Sequence, residues 1–170
     1  MRKALYILGD LDDSDLIWLA GAGTVIEPAA GTELIAAGKA ISDLYILTSG
    51  ESEVVTPGGI QIATLGVGDV VGEMSFVEKR SPSLTVRAIS DCRLLAVPRA
   101  ALLAEFSRNS GFAARFYRAL AVFLSDRLRT TSDTGDEVEN ELDEAILDNL
   151  HVAGGRMLRL IDLLEGRVSA

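Results

Sequence analysis

The sequence predicts an α+β protein in which an antiparallel β-roll, double-stranded and jelly-roll-like, lies between a short N-terminal helix and C-terminal helices. Two observations carry this prediction. From about Thr24 to Val97, short apolar runs recur with glycines between them, which is typical of many short antiparallel strands. On either side, segments with helix-start signals lead into apolar residues at helical spacing.

Composition places the chain among folded globular proteins and excludes several classes of function. Of its 170 residues, 48% are hydrophobic and 24% charged, which excludes a disordered chain. The single cysteine, Cys92, excludes a disulfide framework, and with one histidine, His151, no metal site is predicted. The formal net charge of −9 opposes nucleic-acid binding, and most of the acidic excess lies in residues 131–170.

The N-terminus and the hydropathy pattern predict a cytoplasmic protein without a membrane partner. Met1-Arg2-Lys3 is basic, but the apolar run from Ala4 to Leu8 is too short for a signal sequence. No apolar run approaches the length needed to cross a bilayer.

The first helix is predicted after the acidic start Asp12–Asp15, because acids and serine suit the free N–H groups of a helix N-terminus. Gly21 and Gly23 end it. The turn Thr56–Gly59 joins two strand-like runs and predicts a hairpin. The predicted strands are Thr24–Ile26, Leu34–Ile35, Leu44–Leu47, Glu51–Val55, Ile60–Leu65, Val70–Val71, Leu84–Ile89 and Cys92–Val97.

Two helices are predicted after the strands. Pro98 suits the first helical position, so a short helix is expected over Arg99–Phe106. A longer helix is expected over about 112–129, and its apolar stripe is wider than one contact surface needs. We therefore expect this helix to pair with its copy in a homodimer. The expected dimer contacts are Phe112, Phe116, Leu120, Phe123 and Leu124.

The last segment predicts an acidic linker over 131–136 and an amphipathic helix over 137–166. Its apolar residues recur at steps of three and four, so the helix must bury one face. It could pack on the roll or on the dimer, in its own chain or in a neighbour, and it could cover a ligand pocket as a lid.

One constellation points to a function. Residues 65–76, Leu-Gly-Val-Gly-Asp-Val-Val-Gly-Glu-Met-Ser-Phe, are followed by Ser-Pro-Ser-Leu-Thr-Val-Arg-Ala at 81–88. Together they resemble the phosphate-binding cassette of cyclic nucleotide-binding domains, as in catabolite activator proteins and protein kinase A regulatory subunits. The resemblance covers roughly residues 10–130 and implies such a domain over 1–130. No helix-turn-helix is expected in the acidic segment that follows.

The resemblance also implies a role for individual residues. The glutamate of Gly-Glu accepts from the ribose 2′-hydroxyl, a role that falls to Glu73. Gly72 lets a ligand approach, and the backbone N–H groups of Ser83 and Leu84 hold the phosphate. The candidate ligand-binding residues are Gly72, Glu73, Met74, Ser75, Arg80, Ser83, Leu84 and Thr85.

The sequence departs from the family at one position. Ligand-binding members carry an arginine nine residues after that glutamate, and here Pro82 stands in its place. Arg80 lies two residues away and could supply the missing charge. The ligand could be cyclic AMP or cyclic GMP, another molecule, or none.

Two functions therefore remain open, and neither is enzymatic, because the sequence shows no pairing of a nucleophile with a base. One is a regulatory, signal-transducing module that acts through contacts with an unknown effector protein. The other is an interaction or structural protein on the same scaffold that binds no cyclic nucleotide.

Overall fold

The protein is described here by a computed structural model covering residues 3–78, 80–132 and 144–167, with side chains for 7–78, 80–125 and 151–167. The described residues form five α-helices, eight strands and one 3₁₀ turn at Glu73–Phe76. The helices are α1 (Lys3–Asp10), α2 (Asp13–Ala22), α3 (Arg99–Arg108), α4 (Ser110–Ser132) and α5 (Glu144–Leu164). The strands are β1 (Thr24–Ile26), β2 (Glu33–Ile35), β3 (Asp43–Ser49), β4 (Ser52–Val55), β5 (Gln61–Leu65), β6 (Val70–Val71), β7 (Thr85–Ala88) and β8 (Arg93–Pro98).

The strands form two four-stranded antiparallel sheets, in the orders β1-β8-β3-β6 and β2-β7-β4-β5. Apolar side chains from both sheets share clusters between them, including Val71 from one sheet and Val86 from the other. The predicted fold class is confirmed. The hairpin of β4 and β5 around residues 56–59 also forms as predicted, closed by the Thr56 N–H donating to the Ile60 carbonyl at 2.9 Å.

A helical layer covers the sheet that contains β3 and β8. Helix α1, which the sequence analysis did not predict, packs against both α4 and α5 and buries Ile7 and Leu8 in the main core. Helix α5 also packs against α2, and it buries Met157 and Leu160 in that core. The amphipathic C-terminal helix is therefore packed within its own chain. Positions 137–143 of that predicted helix and 133–136 of the predicted linker lie outside the described residues, while 131 and 132 end α4.

The wide apolar stripe of α4 has a different use from the one predicted. Four of the five expected dimer contacts, Phe112, Phe116, Leu120 and Phe123, are at most 2% exposed within the single chain, and Leu124 packs against the same core. The assignment of these side chains to a dimer surface is therefore wrong. The stripe is wide because α1 covers one side of it while α3 and the roll cover the other.

Charged groups fix the junction between α1 and α2 to the longer helices. Asp12 and Asp15 form a capping box at the start of α2, and the Arg115 guanidinium of α4 donates to both Asp15 oxygens at 2.7 and 2.8 Å. These hydrogen bonds raise the pKa of Arg115 above its ordinary value. From α5, Arg156 donates to the backbone carbonyls of Leu8 and Gly9 at the end of α1. The N-terminal segment is thus an integral part of the helical layer.

Candidate ligand pocket

A pocket of about 360 Å³ opens on the sheet that contains β2, β4 and β7, beside the 3₁₀ turn. A volume of this size is in the usual range for small-molecule sites, which are mostly apolar with a few polar groups. Its apolar wall comes from Ile35, Ile41, Val54, Val71, Leu84 and Val86. Its polar lining includes Glu73, Glu78, Arg80, Ser81 and Ser83. Six of the eight predicted ligand-binding residues line it: Gly72, Glu73, Met74, Arg80, Ser83 and Leu84.

Gly72 is required by the fold itself. Its φ of +95° lies in the left-handed region that glycine adopts readily, and this conformation starts the 3₁₀ turn. A Cβ at this position would lie 2.7 Å from the backbone carbonyl oxygen of Asp43 on β3. The close approach at Gly72 is therefore made by the neighbouring strand, independently of any ligand.

Glu73 is the buried carboxyl group of the pocket. It follows Gly72 directly, so the turn fixes its position against the apolar wall, and the residue is only 4% exposed. Burying a charged group is costly unless polar partners compensate, so the position of this carboxyl group is set by the turn and by its polar surroundings. Its place in the lining suits an acceptor for a hydroxyl donor in the pocket.

Among the described residues that line the pocket, Arg80 is the cation. Arg80 is exposed and lines the pocket at its rim, whereas Pro82 presents an apolar ring to it. The Pro82 carbonyl accepts from the Gly38 N–H at 2.8 Å, which fixes this segment to the loop after β2. Among the described residues, Arg80 forms no ion pair.

Two predicted site residues point elsewhere. The Ser75 hydroxyl donates to the Gly72 carbonyl at 2.7 Å, within the 3₁₀ turn. The Thr85 hydroxyl accepts from the Ala37 N–H at 3.2 Å, which joins β7 to the loop after β2. Neither residue lines the pocket, so both hydroxyl groups serve the backbone around it.

The last residue of the 3₁₀ turn connects the pocket to the helical layer. The Phe76 ring lies 6.1 Å from the Phe106 ring of α3 and 5.2 Å from the Phe116 ring of α4, both in tilted or edge-on geometry. Arg99, at the start of α3, donates from Nη2 to the Ser75 carbonyl at 2.9 Å. A displacement of this turn would therefore act directly on α3 and α4.

Helix α5 does not contribute a described residue to the pocket lining, and it packs against α1 and α2. The expectation that the C-terminal helix could act as a lid has no support in the described part of the chain. Within the described ranges, no helix combines the length and apolarity needed to cross a bilayer.

Comparison with known proteins agrees with this geometry. The family model of the cyclic nucleotide-binding domain matches residues 26–109, which include the whole pocket. Residues 26–109 of the chain form a domain of the cyclic nucleotide-binding family. The resemblance inferred from the cassette is thereby confirmed.

The relatives differ in how much of their own length this chain matches. Glutaminase 2 of Bradyrhizobium diazoefficiens is 32% identical over 123 residues, which are 72% of this chain and 19% of that protein. The N-terminal domain of a transcriptional regulator from Streptomyces coelicolor has a TM-score of 0.62 at 24% identity, covering 79% of this chain and 99% of that one. The catabolite activator protein of Thermus thermophilus also has a TM-score of 0.62, at 20% identity, covering 95% of this chain and 87% of that one. The chain spans between 9% and 35% of the length of the curated relatives it matches.

Sequence reasoning missed several residues that line this pocket. Glu78 lies between the two segments of the cassette and Ser81 begins the second, and neither is among the predicted ligand-binding residues. Ile35, Ile41 and Val54 come from separate strands and loops, and only the pairing of those strands brings them together. Successive side chains of a strand point to opposite faces of the sheet, and this alternation was the sequence signal that could have identified the residues facing the pocket.

Proposed function

We propose that this domain is a regulatory module that binds a cyclic mononucleotide, cyclic AMP or cyclic GMP, weakly in the pocket beside Glu73. The observation that carries the proposal is a pocket of about 360 Å³ with a buried carboxylate on one side and Arg80 as the cation at its rim. Glu73 would accept from the ribose 2′-hydroxyl, and the backbone at Ser83 and Leu84 would face the phosphate.

The expected low affinity for cyclic mononucleotides follows from Pro82. A charge-assisted hydrogen bond of an arginine with a phosphate contributes about 1.5–3 kcal/mol, so its loss lowers affinity by roughly 10- to 100-fold. Arg80 is exposed, and water competes with the phosphate for its guanidinium. We therefore expect Arg80 to recover only part of the lost affinity.

Calorimetric titration with cyclic AMP and cyclic GMP tests the proposal. We expect dissociation constants in the micromolar range or weaker for the natural sequence, at least 10-fold tighter binding for Pro82→Arg, and no measurable binding for Glu73→Ala. Glu51→Ala serves as the matched control, because Glu51 is exposed and does not line the pocket. Sub-micromolar affinity of the natural sequence, or equal effects of the two alanine variants, would overturn the proposal.

We propose that the effect of ligand binding is transmitted to partner proteins through the helical layer. The 3₁₀ turn carries Glu73 at its start and Phe76 at its end, and Phe76 packs on α3 and α4. A ligand that draws the turn toward the pocket would move Phe76 against Phe106 and Phe116, and so change the surface offered to an effector protein. The proposed output is protein contact, in the cytoplasm, with no catalytic step.

A second function is favoured by Pro82 itself. With an apolar ring at the phosphate position, the same scaffold could act as an interaction or structural protein that binds no cyclic nucleotide. Thermal unfolding with and without millimolar cyclic AMP and cyclic GMP separates the two, because a ligand that binds only the folded state raises the melting temperature. No shift with either nucleotide favours the second function.

Self-association remains a proposal with a revised surface. Since the phenylalanines of α4 are buried, a homodimer would use the exposed apolar side chains of that helix, Tyr117 and Val122, each 40% exposed. Light scattering at tens of micromolar gives the mass. A monomeric mass would end the homodimer proposal, and a dimeric mass that Val122→Glu abolishes would support it.

A further inference from the structure

A second cavity, of about 270 Å³, adjoins the nucleotide pocket. The two cavities share four lining residues, Ile41, Glu78, Arg80 and Ser81. The second one extends past Arg80 to Ala40, Ser75 and Arg99. Arg80 therefore lies between two adjoining spaces instead of closing the end of one.

The adjoining cavity has a fixed cation of its own. Arg99 is half-buried, and its Nε and Nη2 donate to the Ser75 carbonyl at 3.2 and 2.9 Å, while the guanidinium lies 5.5 Å from the centre of the Phe76 ring. These contacts leave Nη1 as a further donor on a side chain whose orientation is already set. Within the described residues, no carboxylate lies within ion-pair distance of Arg99 or Arg80.

The charge of this cavity suits an anion. Two guanidinium groups and one carboxylate, Glu78, line it together with the Ser81 hydroxyl, so its lining carries a net positive charge. A planar guanidinium and a hydroxyl that line the same cavity are both donors to the oxygens of a phosphate group. Glu78 faces both cavities and would accept from a sugar hydroxyl or a base amino group between them.

We infer that the adjoining cavity is a second phosphate subsite, and that the ligand this chain prefers is a cyclic dinucleotide with one phosphate near Arg80 and the other at Arg99. This inference rests on the proposed function, because the first nucleotide would occupy the pocket beside Glu73. A cyclic mononucleotide has one phosphate and fills one of the two cavities, so it leaves Arg99 without an anion. A ligand with two nucleotides and two phosphates uses both cavities and both arginines.

Titration of the full chain with four probes tests the inference: cyclic AMP, cyclic GMP, cyclic di-AMP and cyclic di-GMP. At least one cyclic dinucleotide is expected to bind 10-fold or more tightly than its cyclic mononucleotide. Arg99→Gln is expected to weaken dinucleotide binding at least 10-fold and to change mononucleotide affinity less than twofold. Arg108→Gln is the matched control, because it removes the same charge from an exposed position on the same helix and is expected to change neither affinity.

Arg99→Gln also removes the donors to the Ser75 carbonyl, so its melting temperature is measured alongside, and Arg99→Lys provides a variant that keeps the charge. Partial recovery of dinucleotide affinity by Arg99→Lys supports the phosphate role. Equal losses for both ligand classes in Arg99→Gln, or no loss for either, overturn the inference.

The failure of the inference is distinguishable from the failure of the proposed function. If cyclic mononucleotides bind in a manner that depends on Glu73 and no dinucleotide binds more tightly, the second subsite is refuted and the proposed function stands. If neither class binds at millimolar concentration, both are refuted.

Discussion

The ion pair of Asp15 with Arg115 provides a sharp test of how the N-terminal segment is attached. Asp15 is 1% exposed, and it accepts from two guanidinium nitrogens of Arg115 and from the Asp12 N–H at 3.0 Å. The variant Asp15→Ala removes all three hydrogen bonds at once. It leaves Arg115 with Asp12, 2.9 Å away, as its remaining partner.

The expected loss in the free energy of unfolding follows from these contacts. Removing one member of a buried ion pair costs about 3–5 kcal/mol. The Arg115 side chain is 32% exposed and keeps Asp12, so water and the second carboxylate recover part of that cost. Loss of the Asp12 N–H to Asp15 hydrogen bond, one of the two in the capping box, adds about 1 kcal/mol. We expect a decrease of about 2–3 kcal/mol in the free energy of unfolding, which for a chain of this size lowers the melting temperature by about 5–10 °C.

Urea denaturation at neutral pH and thermal unfolding measure this change. Asp13→Ala is the control, because Asp13 lies in the same turn but its side chain is 64% exposed and its ion pair with Arg159 is 3.3 Å long. That exposed pair contributes at most about 1 kcal/mol. The reasoning is refuted if Asp15→Ala costs no more than Asp13→Ala, or if a double-mutant cycle of Asp15→Ala with Arg115→Ala gives a coupling energy near zero.

Three further predictions concern the turn, the C-terminal helix and pH. Gly72→Ala should cost at least about 2 kcal/mol in denaturation experiments, because the added Cβ meets the Asp43 carbonyl and φ is +95°. Gly58→Ala should cost less than about 0.5 kcal/mol, because its φ is negative and the added Cβ would make only an ordinary contact, 3.8 Å from the Thr56 hydroxyl oxygen. Truncation after Thr134 should lower the melting temperature without raising nucleotide affinity, since α5 packs on α1 and α2 and does not line the pocket; a gain in affinity would restore the lid hypothesis. The hydrogen bond from the Ser14 hydroxyl, more than any other contact, lowers the pKa of Asp12 below its ordinary value of 3.8. Asp12 therefore stabilises the fold above pH 3.8, and this contribution disappears as the pH falls further through the lowered pKa; the stability difference between the natural sequence and Asp12→Asn should shrink between pH 5 and pH 2.5, and a constant difference would contradict this.

The sheets were predictable from sequence because glycines separate the strands so regularly. All eight observed strands overlap predicted ones, and Val70–Val71 was predicted at its observed bounds. Helix α1 was missed because it is eight residues long, has no acid in its first turn and contains Gly9, so no start signal marks it. Its stability comes from packing, and packing is not visible in a local pattern.

The site was predictable only where the cassette is contiguous. Glu73, Arg80 and Ser83 follow one another closely, and the turn brings them to one pocket. Arg99 reaches the same region from the start of α3, after two intervening strands, so no spacing rule could place it there. The stripe of α4 indicated how much surface must be covered but could not show that the chain covers it with its own N-terminus.

The helical layer determines how long a segment of the chain must be for the β-roll to be transferred with its core intact. The family match over 26–109 contains the pocket but excludes α1, α2, α4 and α5. A fragment with those limits would leave Leu44, Leu95 and Leu102, all buried in the full chain, without the side chains that cover them. Recombination between genes would therefore have to carry the flanking helices along with the roll. No described residue of those four helices lines the pocket, so substitutions on their outer faces would leave the pocket lining unchanged.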